Sequence, residues 1–389
     1  KNLELFLESG LPNKKDENWK FTDLKSIIGK NFKNITNNQD FNFNKEIELI
    51  KDFDHNYILL VNGLFKLCDL KFENKEKVKI KNFDNFEELN VQSKNNLYFL
   101  NKALSLGGFD LEISENYKCK KPIIIYNYFT SNLNNKIINS SNKIKLNQNS
   151  ELTLIEYNSC EKNKFIKNTF EEIDIAKDAI LKSYNIQKLK NNGFFYRNIS
   201  GSQDNNSSYQ NFILSSGLKF NKIEINVNLR KENSSCFVLS GLSLGQEEHQ
   251  EIKTQINHLA PNCKSFQKIK KVLEKDSNGI YQGKIYVKDI AQKTDAYQLS
   301  KALILDDLAS FSAKPELEIY ADDVKCSHGS SSGSIDEEAI HYLRTRGIEL
   351  PKAKKLLING FLNEIFENIS DQKIKKFLEK SIEEQINGI

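Results

Sequence analysis

Between Lys121 and Cys326 the chain is a succession of short runs in which apolar and polar residues alternate, recurring about every dozen positions. The runs are Leu152–Tyr157, Ile180–Ile186, Phe194–Ile199, Tyr209–Leu214, Ile223–Leu229, Cys236–Leu244, Lys253–Leu259, Ser265–Leu273, Gly279–Val287 and Leu317–Ala321, with Asn, Gly, Ser and Asp between them. A period of two places alternate side chains on opposite faces of a strand. No amphipathic helix interrupts the block. Many short, evenly spaced strands suit a sandwich, a barrel or a β-helix. Asn-Gly hairpin turns are scarce between these runs, which disfavours antiparallel neighbours. Two strands per rung would give a coil of roughly 25 residues, inside the range of solenoid repeats. The pattern favours the β-helix and leaves the other two open.

The flanks read differently. Asn2–Ser9, Trp19–Ile28 and Asn96–Leu106 carry apolar residues at helical spacing, and Gly107-Gly108 stops the last of these. Asn56–Cys68 places two apolar runs around Asn62-Gly63, a hairpin signal. After the strand block, Ser334 with Glu337 resembles a capping box ahead of a helix that ends at Gly347. Pro351 opens a second helix, Lys352–Ile369, and Asp371–Ile386 reads as a third. The faces bearing Leu356, Leu357, Phe361 and Ile365 need partners, either in the chain or in another subunit. The expected division is a mixed helical region over 1–120, a β core over 121–333 and a helical region over 334–389.

Composition narrows the function classes. The net charge is +4, from 56 basic and 52 acidic residues, so no nucleic-acid partner is expected. The many Lys and Asn residues are read as solvated surface shaped by coding bias. The longest apolar runs, such as Tyr57–Val61 and Pro122–Tyr126, are too short to span a bilayer. Lys1–Gly10 has no basic stretch leading into an apolar one, so no secretory signal is expected. Six cysteines, at 68, 119, 160, 236, 263 and 326, form no CxxC pair, which suits a reducing compartment and inert thiols. There is no P-loop, no GxGxxG after a strand, no HExxH and no GxSxG.

One polar constellation remains: Asp322-Asp323-Val324-Lys325-Cys326-Ser327-His328-Gly329, followed by Ser330-Ser331-Ser332-Gly333. On an extended segment Cys326 and His328 face the same side. Thiolate sulfur beside imidazole nitrogen makes a pair of iron ligands. It also resembles a nucleophilic Cys–His pair, and a His328 that merely braces a Gly/Ser-rich turn fits the same residues. Two ligands do not complete a cluster site, so the rest must come from elsewhere, a partner chain being one source. His55, His249, His258 and His341 are weaker candidates: a polar loop, a solvated turn, a strand end and a helix. The polar stretch Gln292–Gln298 suits a satisfied network or an interface.

Ala291-Gln-Lys-Thr-Asp-Ala-Tyr-Gln298, Lys314-Pro-Glu-Leu-Glu-Ile319, Ala321-Asp-Asp-Val-Lys-Cys-Ser-His-Gly329, Asp336-Glu-Glu-Ala339 and Tyr342-Leu-Arg-Thr-Arg-Gly-Ile348 together resemble the SufB/SufD family of iron–sulfur cluster assembly scaffolds in order and spacing. Upstream, Asn18-Trp-Lys-Phe-Thr-Asp-Leu24, Val61-Asn-Gly63 with Phe65, His258-Leu-Ala-Pro261 and Gly283-Lys-Ile285 fit the same family. The Cys-Ser-His-Gly form at 326–329 is SufD-like, and His341-Tyr342-Leu343 on the next helix carries no thiol.

The resemblance implies a right-handed parallel β-helix flanked by N- and C-terminal helical regions. It implies a non-catalytic scaffold subunit of a SufBCD complex. The C-terminal helices would dock a SufC-like ABC ATPase, and the β-helix would pair edge to edge with a SufB-like subunit, or with a second copy when isolated. His328 matches the residue implicated at that interface, with Cys326 beside it. No tightly bound cofactor is implied in isolation, only a transient iron–sulfur cluster in the complex. The implied compartment is the bacterial cytoplasm, with a plastid-type organelle as the second choice. A SufB-like sulfur acceptor and a β-helix carbohydrate-active enzyme are the alternatives.

Overall fold

The computed structural model describes every residue except 38–46, 85–87, 93, 162, 368 and 387–389. The last of these gaps takes three residues from the end of the expected C-terminal region. The chain is mainly β, with 48% of residues in strands and a solenoid of about 8 turns flanked by helices. In chain order the strands are β1 (Thr36–Asn37), β2 (Asn56–Val61), β3 (Leu64–Asp69), β4 (Val78–Asn82), β5 (Gly108–Ile113), β6 (Ile123–Phe129), β7 (Lys136–Leu146), β8 (Glu151–Cys160), β9 (Ile166–Ile175), β10 (Ile180–Gln203), β11 (Ser208–Leu229), β12 (Ser235–Leu244), β13 (His249–His258), β14 (Lys264–Leu273), β15 (Asn278–Val287), β16 (Thr294–Ile304), β17 (Ser310–Ile319) and β18 (Val324–Gly333). The helices are α1 (Asn2–Ser9), α2 (Leu24–Asn31), α3 (Asn96–Leu104), α4 (Glu337–Thr345), α5 (Leu350–Asn363) and α6 (Gln372–Ile386).

The strands stack in two parallel columns. One runs β2, β6, β8, the first half of β10, the first half of β11, β12, β14, β16, β18. The other runs β5, β7, β9, the second halves of β10 and β11, β13, β15, β17. Coil pairing therefore starts before residue 121. The register advances 28 residues from Ile180 to Ser208, 27 from Ser208 to Ser235, 29 from Ser235 to Lys264 and 31 from Lys264 to Asp295. Each rung is longer than the expected 25 or so, because strands reach ten residues and turns add more.

One turn of each rung explains many of the asparagines. Asn116, Asn149, Asp178, Asn206, Asn233, Asn262 and Lys293 all sit at φ between 54° and 59°. Asn and Asp tolerate this left-handed conformation better than other side-chain-bearing residues. Each of these backbone N–H groups donates to a carbonyl of the next rung, as in Asn149 to Lys177, Asn206 to Glu232 and Asn262 to Gln292. Side chains repeat the ladder: Asn149 Nδ2 donates to Asn116 Oδ1 at 3.0 Å, and Asn206 Nδ2 to Asp178 Oδ1 at 2.9 Å. These asparagines shape the coil; coding bias does not account for them.

Three of the apolar clusters among the described residues fill the coil and fasten the terminal segments to it. The first fills the coil, with Ile125, Leu154, Ile213, Val238 and Ile269 among its residues. The second lies outside the first column, where Ile358, Leu362, Ile365, Phe377 and Ile382 of the C-terminal region meet Tyr184, Phe212, Leu239 and Val272. The third lies outside the other column, where Trp19, Leu24, Ile28 and Leu97 cover Phe170, Phe194, Tyr196 and Phe220. Each such side chain contributes about 1.5–3 kcal/mol on burial. The question left open for the C-terminal helices thus divides by residue. Ile365 packs inside the chain, whereas Leu356 is 44% exposed. The N-cap of α4 is Asp336 rather than Ser334: its Oδ1 accepts from the Glu338 and Ala339 N–H groups. The strand β18 runs to Gly333, so helix entry falls two residues later than the capping box suggests.

Candidate functional site

The coil begins and ends differently. At its start β2 pairs antiparallel with β3, and β5 with β4, so both edges of the first rung are taken by the chain itself. The Asn62-Gly63 turn of the first hairpin has φ of 51° and 85°, as its sequence predicts. Glu73 completes the cover. Its carboxylate accepts from Asn56 Nδ2, Tyr117 Oη and the backbone N–H groups of Lys120 and Lys121. At the other end, among the described residues, β17 pairs only with β15 and β18 only with β16. Two ten-residue edge strands are left with unpaired backbone groups on one side.

Cys326 and His328 lie on β18, in this last rung. Its register sets Cys326 over Ala296, His328 over Gln298 and Ser330 over Ser300. Ala296, Gln298, Ser300 and Ala302 are buried, so these positions of β18 continue the inward face of the coil. No further rung covers them. His328 is exposed and Cys326 half-buried, packed with Ala296, Val324 and Leu317. Ser330 Oγ accepts from Ser300 Oγ at 2.9 Å. Below, Gln298 ties the two columns together: its Nε2 donates to the Glu316 carbonyl, and its Oε1 accepts from Tyr281 Oη. Gly283 leaves room for this, since a Cβ there would lie 2.0 Å from Gln298 Oε1.

Burial pushes the Cys326 thiol up from its ordinary pKa, and nearby Asp295 adds to the rise, against the backbone N–H of Ala296. A protonated thiol is a poor nucleophile, which weighs against the Cys–His nucleophile. As a metal ligand it must release its proton on binding. Among the described residues no three His, Cys, Asp or Glu side chains come together to hold a metal. The donor types fit iron, and their number requires ligands from outside the chain.

The other histidines are placed elsewhere. His258 ends β13, wholly buried, with Nε2 2.9 Å from Ser265 Oγ; burial drives its pKa down to about 3. His55 bonds Phe53 O and Tyr126 Oη, and His341 is exposed on α4. His249 does not lie on a solvated turn; it opens β13 and contacts Thr22 Oγ1 at 2.8 Å. Gln292–Gln298 forms a satisfied network on the coil, with Gln292 Oε1 accepting from the Asp323 N–H. Cys236 and Cys263 are buried, Cys68 is exposed, and the Cys160 side chain lies outside the described residues.

Buried lysines were not legible in the sequence. Lys270 Nζ reaches the Phe361 carbonyl at 2.7 Å and the Glu364 carboxylate, and Lys268 Nζ the Glu364 carbonyl at 3.2 Å. Both meet the C-terminal end of α5, where cations are favoured. No helix of the described residues is long and apolar enough to cross a membrane.

A family model described as SUF system FeS cluster assembly, SufBD core domain, matches residues 128–361. The iron–sulfur cluster assembly protein SufD of Escherichia coli (strain K12) is 26% identical over 395 aligned residues, covering 100% of this chain and 92% of that protein. An iron–sulfur cluster assembly SufBD family protein of Synechocystis sp. is 24% identical, covering 92% of this chain and 84% of its own. The chloroplastic protein ABCI7 of Arabidopsis thaliana is 28% identical over 52% of this chain and 43% of its own.

Proposed function

The chain belongs to the SufB/SufD family of iron–sulfur cluster assembly proteins, on its SufD branch, and from that premise we propose that it is a non-catalytic scaffold subunit of a SufBCD-type complex. The open last rung is the observation that carries this reading. Edge strands β17 and β18 would pair with a SufB-like subunit, or with a second copy in isolation. That pairing would set His328, with Cys326 beside it, against the partner's ligands. The nascent cluster is the cargo of this site: His328 offers an exposed imidazole nitrogen, and Cys326 a thiol that iron would deprotonate.

We divide the chain into an N-terminal region (1–120) whose β2 and β5 open the coil, the remaining coil (121–333) and a C-terminal region (334–389) that docks a SufC-like ATPase. Tyr342 and Leu356 are 59% and 44% exposed, on the side of α4 and α5 that the coil does not cover. Only residues 334–336 separate β18 from α4, so force on the docked helices would pass directly to the strand bearing His328. The half-buried, protonated Cys326 speaks against a SufB-like sulfur acceptor. The compartment is the bacterial cytoplasm or, as second choice, a plastid-type organelle. Co-purification tests the assembly: the full chain should retain a SufC-like ATPase, and the double variant Tyr342→Asp, Leu356→Asp should lose it while keeping the SufB-like subunit. Equal retention of the ATPase by both would refute the docking surface.

A further inference from the structure

The chain has one tryptophan, and it is fastened down by charge. Trp19 is 2% exposed, with its ring 5.5 Å from that of Tyr196. The Lys222 ammonium lies 4.3 Å from its ring centroid. Lys222 is completely buried; its Nζ donates to the Asn18 carbonyl at 2.8 Å and to Glu251 Oε1. Gln282 Nε2 donates to the same oxygen at 2.7 Å. The second oxygen of Glu251 accepts from Thr22 Oγ1, which in turn lies 2.8 Å from His249 Nε2. Lys253 Nζ donates to Asn18 Oδ1. The segment Asn18–Thr22 is thus held on β11 and β13 by residues more than 200 positions away.

The protons in this network have a defined order. Thr22 has one hydroxyl hydrogen and gives it to Glu251, so it can only accept from His249 Nε2–H. Asn278 Nδ2 stands 3.4 Å from His249 Nδ1, which therefore accepts. Asn278 Oδ1 accepts in turn from Ser310 Oγ at 3.2 Å. The imidazole is stacked on Phe220 with centroids 5.5 Å apart. A second proton would add a buried cation beside Lys222, while Glu251, the carboxylate bound to Thr22, already accepts from Lys222, Gln282 and Thr22. We infer that this cluster is an acid-sensitive latch: neutral His249 holds the Asn18–Thr22 segment on the coil, and its protonation releases that segment while the coil stays folded.

The surrounding charges support the same direction. Burial lowers the His249 pKa from 6.5 to about 4. Glu251 on the same strand opposes this, whereas Lys271 of β14, Lys222 of β11 and Lys14 of the N-terminal segment reinforce it. The neighbouring Glu248 is raised to about 7 by burial, so it is already largely neutral where His249 gains its proton. A histidine whose pKa is depressed when docked binds its proton better when released. The docked state is fully favoured above about pH 6.5 and loses ground as pH falls toward 4, with the release equilibrium rising about 300-fold across that window.

The lone tryptophan reports on the latch directly. Trp19 emission and acrylamide quenching would be followed on the full chain from pH 7.5 to 4, with far-UV circular dichroism recorded alongside. The expected result is a red shift and a several-fold rise in quenching before the circular dichroism changes. His249→Gln keeps a donor and an acceptor but cannot titrate in this range, so Trp19 should stay buried to a pH at least one unit lower. Thr22→Val removes the bridging hydroxyl and should expose Trp19 at every pH with the coil intact. The inference is overturned by identical profiles for the native chain and His249→Gln, by Trp19 and circular dichroism changing together, or by a Thr22→Val chain with Trp19 still buried at pH 7.5.

Discussion

At its first rung the coil hands both edges to its own chain, through β3 and β4; at its last rung β17 and β18 each keep one side free. The side chains follow the same contrast. In β2 five of the six residues are buried, whereas in β18 none of the ten is buried. Long edge strands invite pairing with other chains, and proteins that do not use them cover them. Here one end is covered and the other is not, so the open end is where the proposed partner would pair. Cys326 and His328, the proposed ligands, lie there as well, on a strand rich in Ser and Gly that has little side-chain packing to lose when it moves.

Three perturbations separate the ends, from largest effect to smallest. Glu73→Ala strips the covered end of a carboxylate that four donors share, leaving buried N–H groups unsatisfied. It should cost about 3 kcal/mol, read as a lower urea midpoint, with partner binding unchanged. A shift under 0.5 kcal/mol would mean that the first rung needs no cover. At the open end Ser330→Pro and Ser331→Pro form a matched pair, because neighbouring N–H groups of a strand point to opposite sides. The proline that removes the outward N–H should weaken SufB-like partner binding about 30-fold with little change in stability, and the other should do the reverse. If calorimetry finds partner affinity intact in both, the edge is not the interface.

The smallest effect lies between the ends. Lys271 is buried inside the coil, its Nζ donating to the Gln250 and Ile280 carbonyls, and burial lowers its pKa to about 7. The unfolded chain holds an extra proton between that value and 10.5, so stability rises with pH across this window. Lys271→Met should gain about 1–2 kcal/mol at pH 7 and lose that pH slope. An unchanged slope would place the titration elsewhere.

Much of this contrast was legible in the residues. The two-residue period gave the strands, Asn62-Gly63 gave the hairpin at the covered end, and the Cys326–His328 spacing placed a thiol and an imidazole on one face. The asparagine ladder was hidden by abundance, since turn asparagines at 149, 206, 233 and 262 stand among many others. With Asp178 between the first two, their recurrence every 27–29 residues was the signal. The buried lysines had no such signal. Lys222 and Lys270 are interior only because terminal segments, distant in sequence, fold over the outer faces of the coil. His249 was misread for the same reason, since its partner Thr22 is 227 residues away. The last rung was also hard to see, because a Ser/Gly strand has no apolar alternation.

The central claim is that the open rung presents His328 to the nascent cluster. It is tested by reconstituting the full complex with His328→Ala and following cluster formation by its visible absorbance, with assembly and melting temperature measured in parallel. The account predicts an intact complex, an unchanged melting temperature and cluster formation slowed at least about tenfold, the loss of about 1.4 kcal/mol or more of stabilisation. An intact complex that forms clusters at the native rate would contradict it.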